Sequence, residues 1–371
     1  MNLLIFDMDG VLLRPHGYHQ ALKETVRMAG ISAGIGEVTL ADEQIAQFEA
    51  LGISSEWHSS ALCMAVMTLQ KQKDSTRENE PSQPVILDLE DLFEAIAAQP
   101  MRNPAINRGV VAIERLAAKY GLPSFSASEL VEKSESIQHS PTTNWFQELI
   151  LGSDAYTNTY QKKAHFQTES YLMLFDEKLI NGCLAENVIE WAAQKDCGAA
   201  IMTNRPSRGL SGFQGAPDAE MGASLVGFET MPLVGYGEVS WLAEYSHRDI
   251  AELSKPGWVH ALATILAASG WSLEASLVFV SQALNLQQWD GLDHLQNSMI
   301  AVFEDTPGGV VAVQEAGALL NKSGLNIEVQ KIGIAENPVK QSALSAQGAV
   351  VFPDITMALA SLDNFRSFPS N

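Results

Sequence analysis

Several short apolar runs, each ending abruptly in polar residues, constrain this chain more than any other feature. Leu3–Phe6 ends in Asp7-Met8-Asp9-Gly10, Cys197–Thr203 in Asn204-Arg205-Pro206, and Ser298–Phe303 in Glu304-Asp305. A run with no alternation of polar and apolar residues reads as a strand buried on both faces, the pattern of a parallel sheet. Helical patterns separate these runs at Ala185–Gln194, at Val259–Ala268 after Lys255-Pro256-Gly257, and at Gly308–Ala316, with Gly317 as a stop. Leu233–Val239, Glu328–Ile334 and Ala349–Phe352 read as further strands. Strands and helices alternating at this spacing predict an α/β fold with a Rossmann-like, doubly wound parallel sheet.

Between the first strand and the rest, the texture is different. After a helical pattern around His19–Met28, helices are expected near 42–51, 56–71, 88–98, 108–119, 128–137, 143–151 and 160–175. Trp57, Ala61, Leu62, Met64, Val66 and Met67 would supply core in one of them. The polar tract Gln70–Pro84 reads as a solvated loop. One catalytic α/β domain is therefore expected from residues 1–15 and 179–371, with a mostly helical domain, 16–178, inserted between its first strand and the remainder. At 371 residues the chain is long enough for two such units.

Charge and cysteine content narrow the function. A net charge of −21 argues against nonspecific nucleic-acid or anionic-membrane binding, which needs clustered Lys and Arg. An anionic substrate would need a local positive centre. Three cysteines without a C-x-x-C pair indicate neither a disulfide framework nor a zinc-thiolate site, so a cytoplasmic setting is expected. The first residues lack a signal-peptide pattern, and no apolar stretch is long enough to span a bilayer.

Open α/β sheets place their chemistry at the C-terminal ends of strands, where this chain carries its polar clusters. Asp7 and Asp9 at one strand end, with Glu304 and Asp305 at another, are four carboxylates that would repel one another without a cation. Oxygen-rich sites of this kind suit Mg²⁺. Singly, each residue has a plainer reading: Asp-x-Asp as a turn, Thr203 as a helix cap, Lys255 as a solvated charge. At a strand end, however, the Thr203 hydroxyl and the N–H groups after it would form a phosphate cradle. The Lys255 ammonium could neutralise phosphoryl oxygens.

Their order along the chain is more specific: Asp7-Met8-Asp9-Gly10-Val11, Thr203-Asn204, Lys255-Pro256, then Glu304-Asp305-Thr306-Pro307-Gly308-Gly309. This resembles the haloacid dehalogenase superfamily of hydrolases. The resemblance lies chiefly in LLIFDMDGVL at Leu3–Leu12 and AVFEDTPGGVVAVQEAG at Ala301–Gly317, and covers roughly 1–15 and 180–360. It implies a phosphoric monoester hydrolase with a C1-type cap in the inserted position. By that resemblance Asp7 is the nucleophile that becomes an aspartyl-phosphate, and Asp9 is the general acid and then base. Thr203, Asn204 and Lys255 bind the phosphoryl group. Asp305 holds Mg²⁺ with Asp7 and the Asp9 carbonyl, and Glu304 is a direct or water-mediated ligand. Dehalogenases of this superfamily lack the second Asp, so Asp9 favours phosphoryl transfer.

Two departures stand out: the insertion is long, and Ser281–Asn297 reads as extra material between Lys255 and Glu304. The expected substrate is a small phosphorylated metabolite. A phosphomutase would use the same residues, and a noncatalytic binding protein on this fold is the rival from another class. A phosphonatase would need a cap lysine, and Lys23 has no surrounding signature. His16 and His19 lack a third ligand and read as structural or solvent-facing. Arg14 or His16 could touch substrate at the hinge, while Arg205 and Arg208 would add positive field or cap a helix.

Overall fold

A computed structural model describes residues 1–53, 55–73, 85–99, 105–126, 128–131, 133–134, 136–211 and 215–362. It contains ten strands: β1 Asn2–Phe6, β2 Leu13–Arg14, β3 Val38–Thr39, β4 Val85–Ile86, β5 Glu177–Lys178, β6 Cys197–Met202, β7 Leu233–Val234, β8 Ser298–Glu304, β9 Ile327–Ile334 and β10 Val350–Phe352. The chain divides into two compact units: Met1–Pro15 with Asp176–Asn371, and His16–Phe175. The second crossing thus falls at 175/176 rather than at 178/179. Glu177 and Lys178 belong to the first unit because β5 pairs antiparallel with β2, Leu13 opposite Lys178.

The first unit is built on a six-stranded sheet in the order β10-β9-β8-β1-β6-β7. Its pairings are parallel throughout. β1 lies between β6 and β8, with Phe6 opposite both Ile201 and Phe303. Successive side chains of β1 enter opposite cores, which is why the run carries no alternation. Leu3 and Ile5 join Ala200, Met202, Ile300 and Val302 against the helix Trp258–Ala268. Leu4 and Phe6 join Ile201, Phe303, Val188 and Trp191 on the other face. Helices cover both faces, so a polar side chain within β1 would be stranded without water. From β1 the order runs outward to β6 and β7 on one side, and to β8, β9 and β10 on the other. The carboxyl end of β1 is therefore a topological switch point, where such sheets leave a crevice.

Two sequence expectations in this unit fail for local reasons. Only Leu233–Val234 of the segment Leu233–Val239 is strand, and a helix begins at Tyr236. Glu238 folds back to accept the Gly235 N–H at 2.8 Å, closing a capping box that starts the helix. Gly317 does not stop the helix Pro307–Lys322. A Cβ there would lie 2.6 Å from Val329 Cγ2, so this glycine sets how closely the helix packs on β9.

The second unit is helical, apart from a small parallel pairing of β3 with β4. The helix Glu56–Lys73 is buried on nearly all sides through Ala61, Leu62, Cys63, Ala65, Val66, Met67 and Leu69. It takes in Lys71 and Lys73, so the helix runs further than the polar sequence from Gln70 suggests. The remainder of the expected loop, 74–84, lies outside the described residues. The helix expected over 160–175 is absent. Ser153–Tyr160 and Tyr171–Phe175 are short helices, and the chain between them is tied down instead by side chains. Glu148, fully buried, accepts the backbone N–H groups of His165 and Phe166, each at 2.9 Å. Those donors are then lost to any helix through this stretch. Among the described residues of 128–137, Ser128–Val131 is helical and the others are not. His19 faces Glu49 at 3.5 Å and Lys23 meets Asp42 at 2.7 Å. Among the described residues, no helix is long and apolar enough to cross a membrane.

Candidate active site

Asp7 is the first residue past β1, fixed by its N–H donating to Phe303 O of β8 at 2.9 Å. The chain then turns tightly, the Leu12 and Leu13 N–H groups both returning to Met8 O. Gly10 makes this turn possible. Its φ of +74° suits glycine, and a Cβ would fall 2.3 Å from Asp305 Oδ2. The loop after β1 therefore approaches the end of β8 closely, bringing Asp305 alongside the Asp7 loop.

Asp7, Glu304 and Asp305 offer carboxylate oxygens that all lie within 4.8 Å of one another. Lys255, just ahead of the helix Trp258–Ala268, reaches between two of them. Its Nζ donates to Asp7 Oδ1 at 2.8 Å and to Glu304 Oε1 at 2.7 Å. The long separation in sequence between Lys255 and Glu304 is taken up by the helix Leu273–Leu286 and a turn at Asp293–Leu295, leaving Lys255 in contact with the acids. Glu304 is completely buried, and a Cβ on Gly309 would lie 1.6 Å from its Oε1, so the glycine vacates the space that the carboxylate fills. Asp305 is held by Lys340, from the helix Pro338–Ala346.

The electrostatics show too little positive charge. Burial, and then the neighbouring Asp7, push Asp305 up to about 6 against the pull of Lys340. The same two causes press Glu304 upward, opposed by Lys255. Burial alone would lower Lys255, but Asp7 and Glu304 outweigh it and hold the ammonium charged. Just beyond, burial and then Lys255 lower His260 to about 3, leaving a neutral ring whose Nε2 lies 2.9 Å from Val234 O. The donor set is hard oxygen, crowded and short of counter-charge, which fits a small divalent cation such as Mg²⁺.

Thr203 and Asn204 follow β6, the neighbour of β1 on its other side. Thr203 is fully buried; its N–H donates to Val234 O and its Oγ1 accepts the Arg205 N–H at 3.2 Å. Asn204 is exposed. The Asp9 carboxylate stands apart from the three clustered acids and pairs with Arg205, whose Nη2 and Nε donate to Oδ1 at 2.6 and 3.0 Å. Nη2 also donates to Asp176 Oδ2 at 2.8 Å. The sequence suggests for Arg205 added positive field or a surface or helix-capping place, not this clamp, and marks neither Asp176 nor Lys340 as part of the site. Arg14 pairs with Glu177 at 2.9 Å. A depression of about 650 Å³ in the second unit is lined by Ser153, Lys162, Lys163 and His165 among others, none of them sequence-predicted site residues.

No protein-family model matches the chain, and no curated protein does. A structural-genomics target solved by X-ray crystallography superposes with a TM-score of 0.68 at 14% identity, over 98% of this chain and 99% of that one. Phosphatase Tt82 from Thermococcus thioreducens gives a TM-score of 0.43 at 13% identity, over 92% and 99%. The first likeness, at such low identity, is one of fold. That likeness runs over nearly the full length of both chains, and so takes in the six-stranded parallel sheet of this one.

Proposed function

We propose that this chain is a Mg²⁺-dependent phosphatase of the haloacid dehalogenase type, acting on a small phosphorylated metabolite through an aspartyl-phosphate. The observation that carries the reading is the Lys255 ammonium bridging Asp7 and Glu304, with Asp305 completing an acidic triad at the ends of β1 and β8. A structural ion pair would need one acid for its lysine. Three acids beside one buried lysine leave negative charge for a cation to offset, and that cation would in turn attract a phosphoryl group.

In this mechanism an Asp7 oxygen attacks phosphorus, and the bond from phosphorus to the ester oxygen breaks as the new one forms. Asp9 gives that leaving oxygen a proton. It then takes one from the water that attacks the aspartyl-phosphate, releasing inorganic phosphate and restoring Asp7. Lys255 orients Asp7 and offsets negative charge on the phosphoryl oxygens, while Thr203 and the Asn204 N–H bind those oxygens. Mg²⁺, held by Asp7, Glu304, Asp305 and the Asp9 carbonyl, would supply further charge neutralisation. The inserted unit is assigned the selection of substrate and the exclusion of water, by its position in the chain between β2 and β5.

The test is a panel of phosphorylated metabolites incubated with the protein and Mg²⁺, reading inorganic phosphate. Release from at least one small ester, lost in Asp7→Asn, supports the reading. A rearranged ester without free phosphate would indicate a mutase, and no turnover of any compound would indicate a binding protein.

A further inference from the structure

We propose that Arg205 is a positioning residue for Asp9, fixing one carboxylate oxygen so that the other is presented for proton transfer; this rests on the phosphatase reading above. The contacts on Asp9 are unequal. Oδ1 receives Nη2 at 2.6 Å and Nε at 3.0 Å, whereas Oδ2 has one longer contact, from Nε at 3.1 Å. The Asp9 side chain keeps 37% of its surface open, while that of Arg205 keeps 2%. A guanidinium fork holding one edge of a carboxylate sets its plane as well as its place, which a single ammonium does not do.

The guanidinium is itself anchored. Nη2 is shared with Asp176, which is fully buried as a side chain, at 2.8 Å. Room for it comes from Gly222, where a Cβ would come within 3.1 Å of Nη1 and 2.5 Å of Met8 Sδ. The Arg205 backbone is fixed on both sides, its N–H on Thr203 Oγ1 and its carbonyl accepting the Tyr236 N–H at 2.9 Å. That loop is riveted in turn by Ser207, whose hydroxyl donates to Glu238 and accepts the Gly237 N–H. An exposed arginine on a free loop would follow its partner. This one cannot move without dragging the phosphate-side loop, so it holds Asp9 in place rather than following it.

Asp176 gives the clamp a second consequence. It is the residue at which the chain re-enters the first unit, directly before β5, and β5 pairs with β2 four residues past Asp9. One guanidinium therefore joins the proton-transfer group, the phosphate-side loop and the returning crossing of the insertion. Asp9 is held in register with the strand pair through which the chain leaves and re-enters.

The experiment compares an alkyl phosphate with 4-nitrophenyl phosphate in single turnover, with Mg²⁺, for wild type and Arg205→Lys. Lysine keeps the charge and loses the fork. A proton donor displaced by about 1 Å costs on the order of 100-fold where the leaving oxygen needs the proton. Arg205→Lys should therefore slow the alkyl ester about 100-fold and the activated aryl ester less than about 3-fold. In an Asp9→Asn background the same change should add no further selectivity. Asp176→Asn, which keeps the fork on Asp9 and loosens its anchor, should give the same selective loss at about 10-fold, and carries the test if Arg205→Lys does not fold. Equal losses for the two esters in a folded variant would overturn the positioning role while leaving the phosphatase reading intact. A wild-type protein inactive on both esters would overturn that reading, and this inference with it.

Discussion

Two adjacent glycines in one helical turn offer a matched pair of substitutions. At Gly309 a Cβ would sit 1.6 Å from Glu304 Oε1 and 2.2 Å from its Cδ. At Gly308 the nearest foreign atom is Thr306 Oγ1, 4.0 Å away. Both lie in the first turn of the helix Pro307–Lys322, so alanine gains at most about 1 kcal/mol of helix propensity at either. At Gly309 the methyl group must expel the Glu304 carboxylate from a fully buried position and from Lys255, 2.7 Å away. Breaking a buried pair while leaving its charges in place costs about 3–5 kcal/mol. The net loss for Gly309→Ala is then about 2–4 kcal/mol, a melting temperature roughly 5–15 °C below wild type. Gly308→Ala should melt at or slightly above wild type. Scanning calorimetry of both variants in the presence of chelator makes the comparison independent of metal. A Gly309→Ala protein melting within about 1 °C of Gly308→Ala would refute the claim that Glu304 is locked in place by the absence of that one methyl group.

Asp7→Asn should fold like wild type, by far-ultraviolet circular dichroism, yet release no inorganic phosphate and incorporate no label from phosphorylated substrate. Adding Mg²⁺ to chelated protein should raise stability, by about 2.7 kcal/mol at a hundred times the dissociation constant, and Asp305→Asn should remove most of that rise. Asp305 also predicts a pH dependence. Its folded pKa is raised from 3.8 to about 6, so folding favours the neutral acid and takes up a proton between those values. Without metal, wild type should therefore lose stability relative to Asp305→Asn as pH rises from about 4 to about 6, by about 3 kcal/mol, with no further change above. Urea midpoints of the two proteins across that range measure it, and a constant difference would contradict the assignment.

Strand ends were legible because burial on both faces of a parallel sheet leaves no freedom: a polar residue in Leu3–Phe6 marks the place where the strand stops. The acids and Thr203 could be read for the same reason, beside the end of a buried run; Lys255 follows the short helix Ile250–Leu253 and was marked instead by its order among the motifs and by the helix after it. Short-range competition was harder to see. At Leu233–Val239 the apolar residues Val234 and Val239 suggested one strand, while the feature that ends it is Glu238 reaching back to Gly235. Over 160–175 the residues allow a helix, and a carboxylate 17 and 18 positions upstream takes the N–H groups instead. The Arg205 clamp was least legible. Its partners stand 196 and 29 residues away, and nothing local marks Asp176 as anything other than a surface acid before a short strand.

Charge around the end of β1 links the metal reading to the clamp. Five carboxylates gather there, those of Asp7, Asp9, Asp176, Glu304 and Asp305, and three cations face them: Lys255, Arg205 and Lys340. They are not shared evenly. Arg205 serves Asp9 and Asp176, while Lys255 serves Asp7 and Glu304, each cation answering two anions. Lys340 meets Asp305 alone but is about half exposed, where solvent weakens an ion pair most. Counted as ionised, the group is two charges short of neutral, and the upward pressure on Glu304 and Asp305 has the same direction. One of those charges is missing at Asp7, Glu304 and Asp305, which face Lys255 and Lys340, and the other at Asp9 and Asp176, which face Arg205. One divalent cation at the three clustered acids would bring the whole group to neutrality. The Asp9 carboxylate is already held by Arg205 outside that cluster, and in the proposed mechanism this separation would keep the proton-transfer group from becoming one more metal ligand. In the proposed mechanism the two buried cations would thus sort otherwise similar carboxylates into different chemistry: Lys255 on the side of nucleophile and metal, Arg205 on the side of the proton.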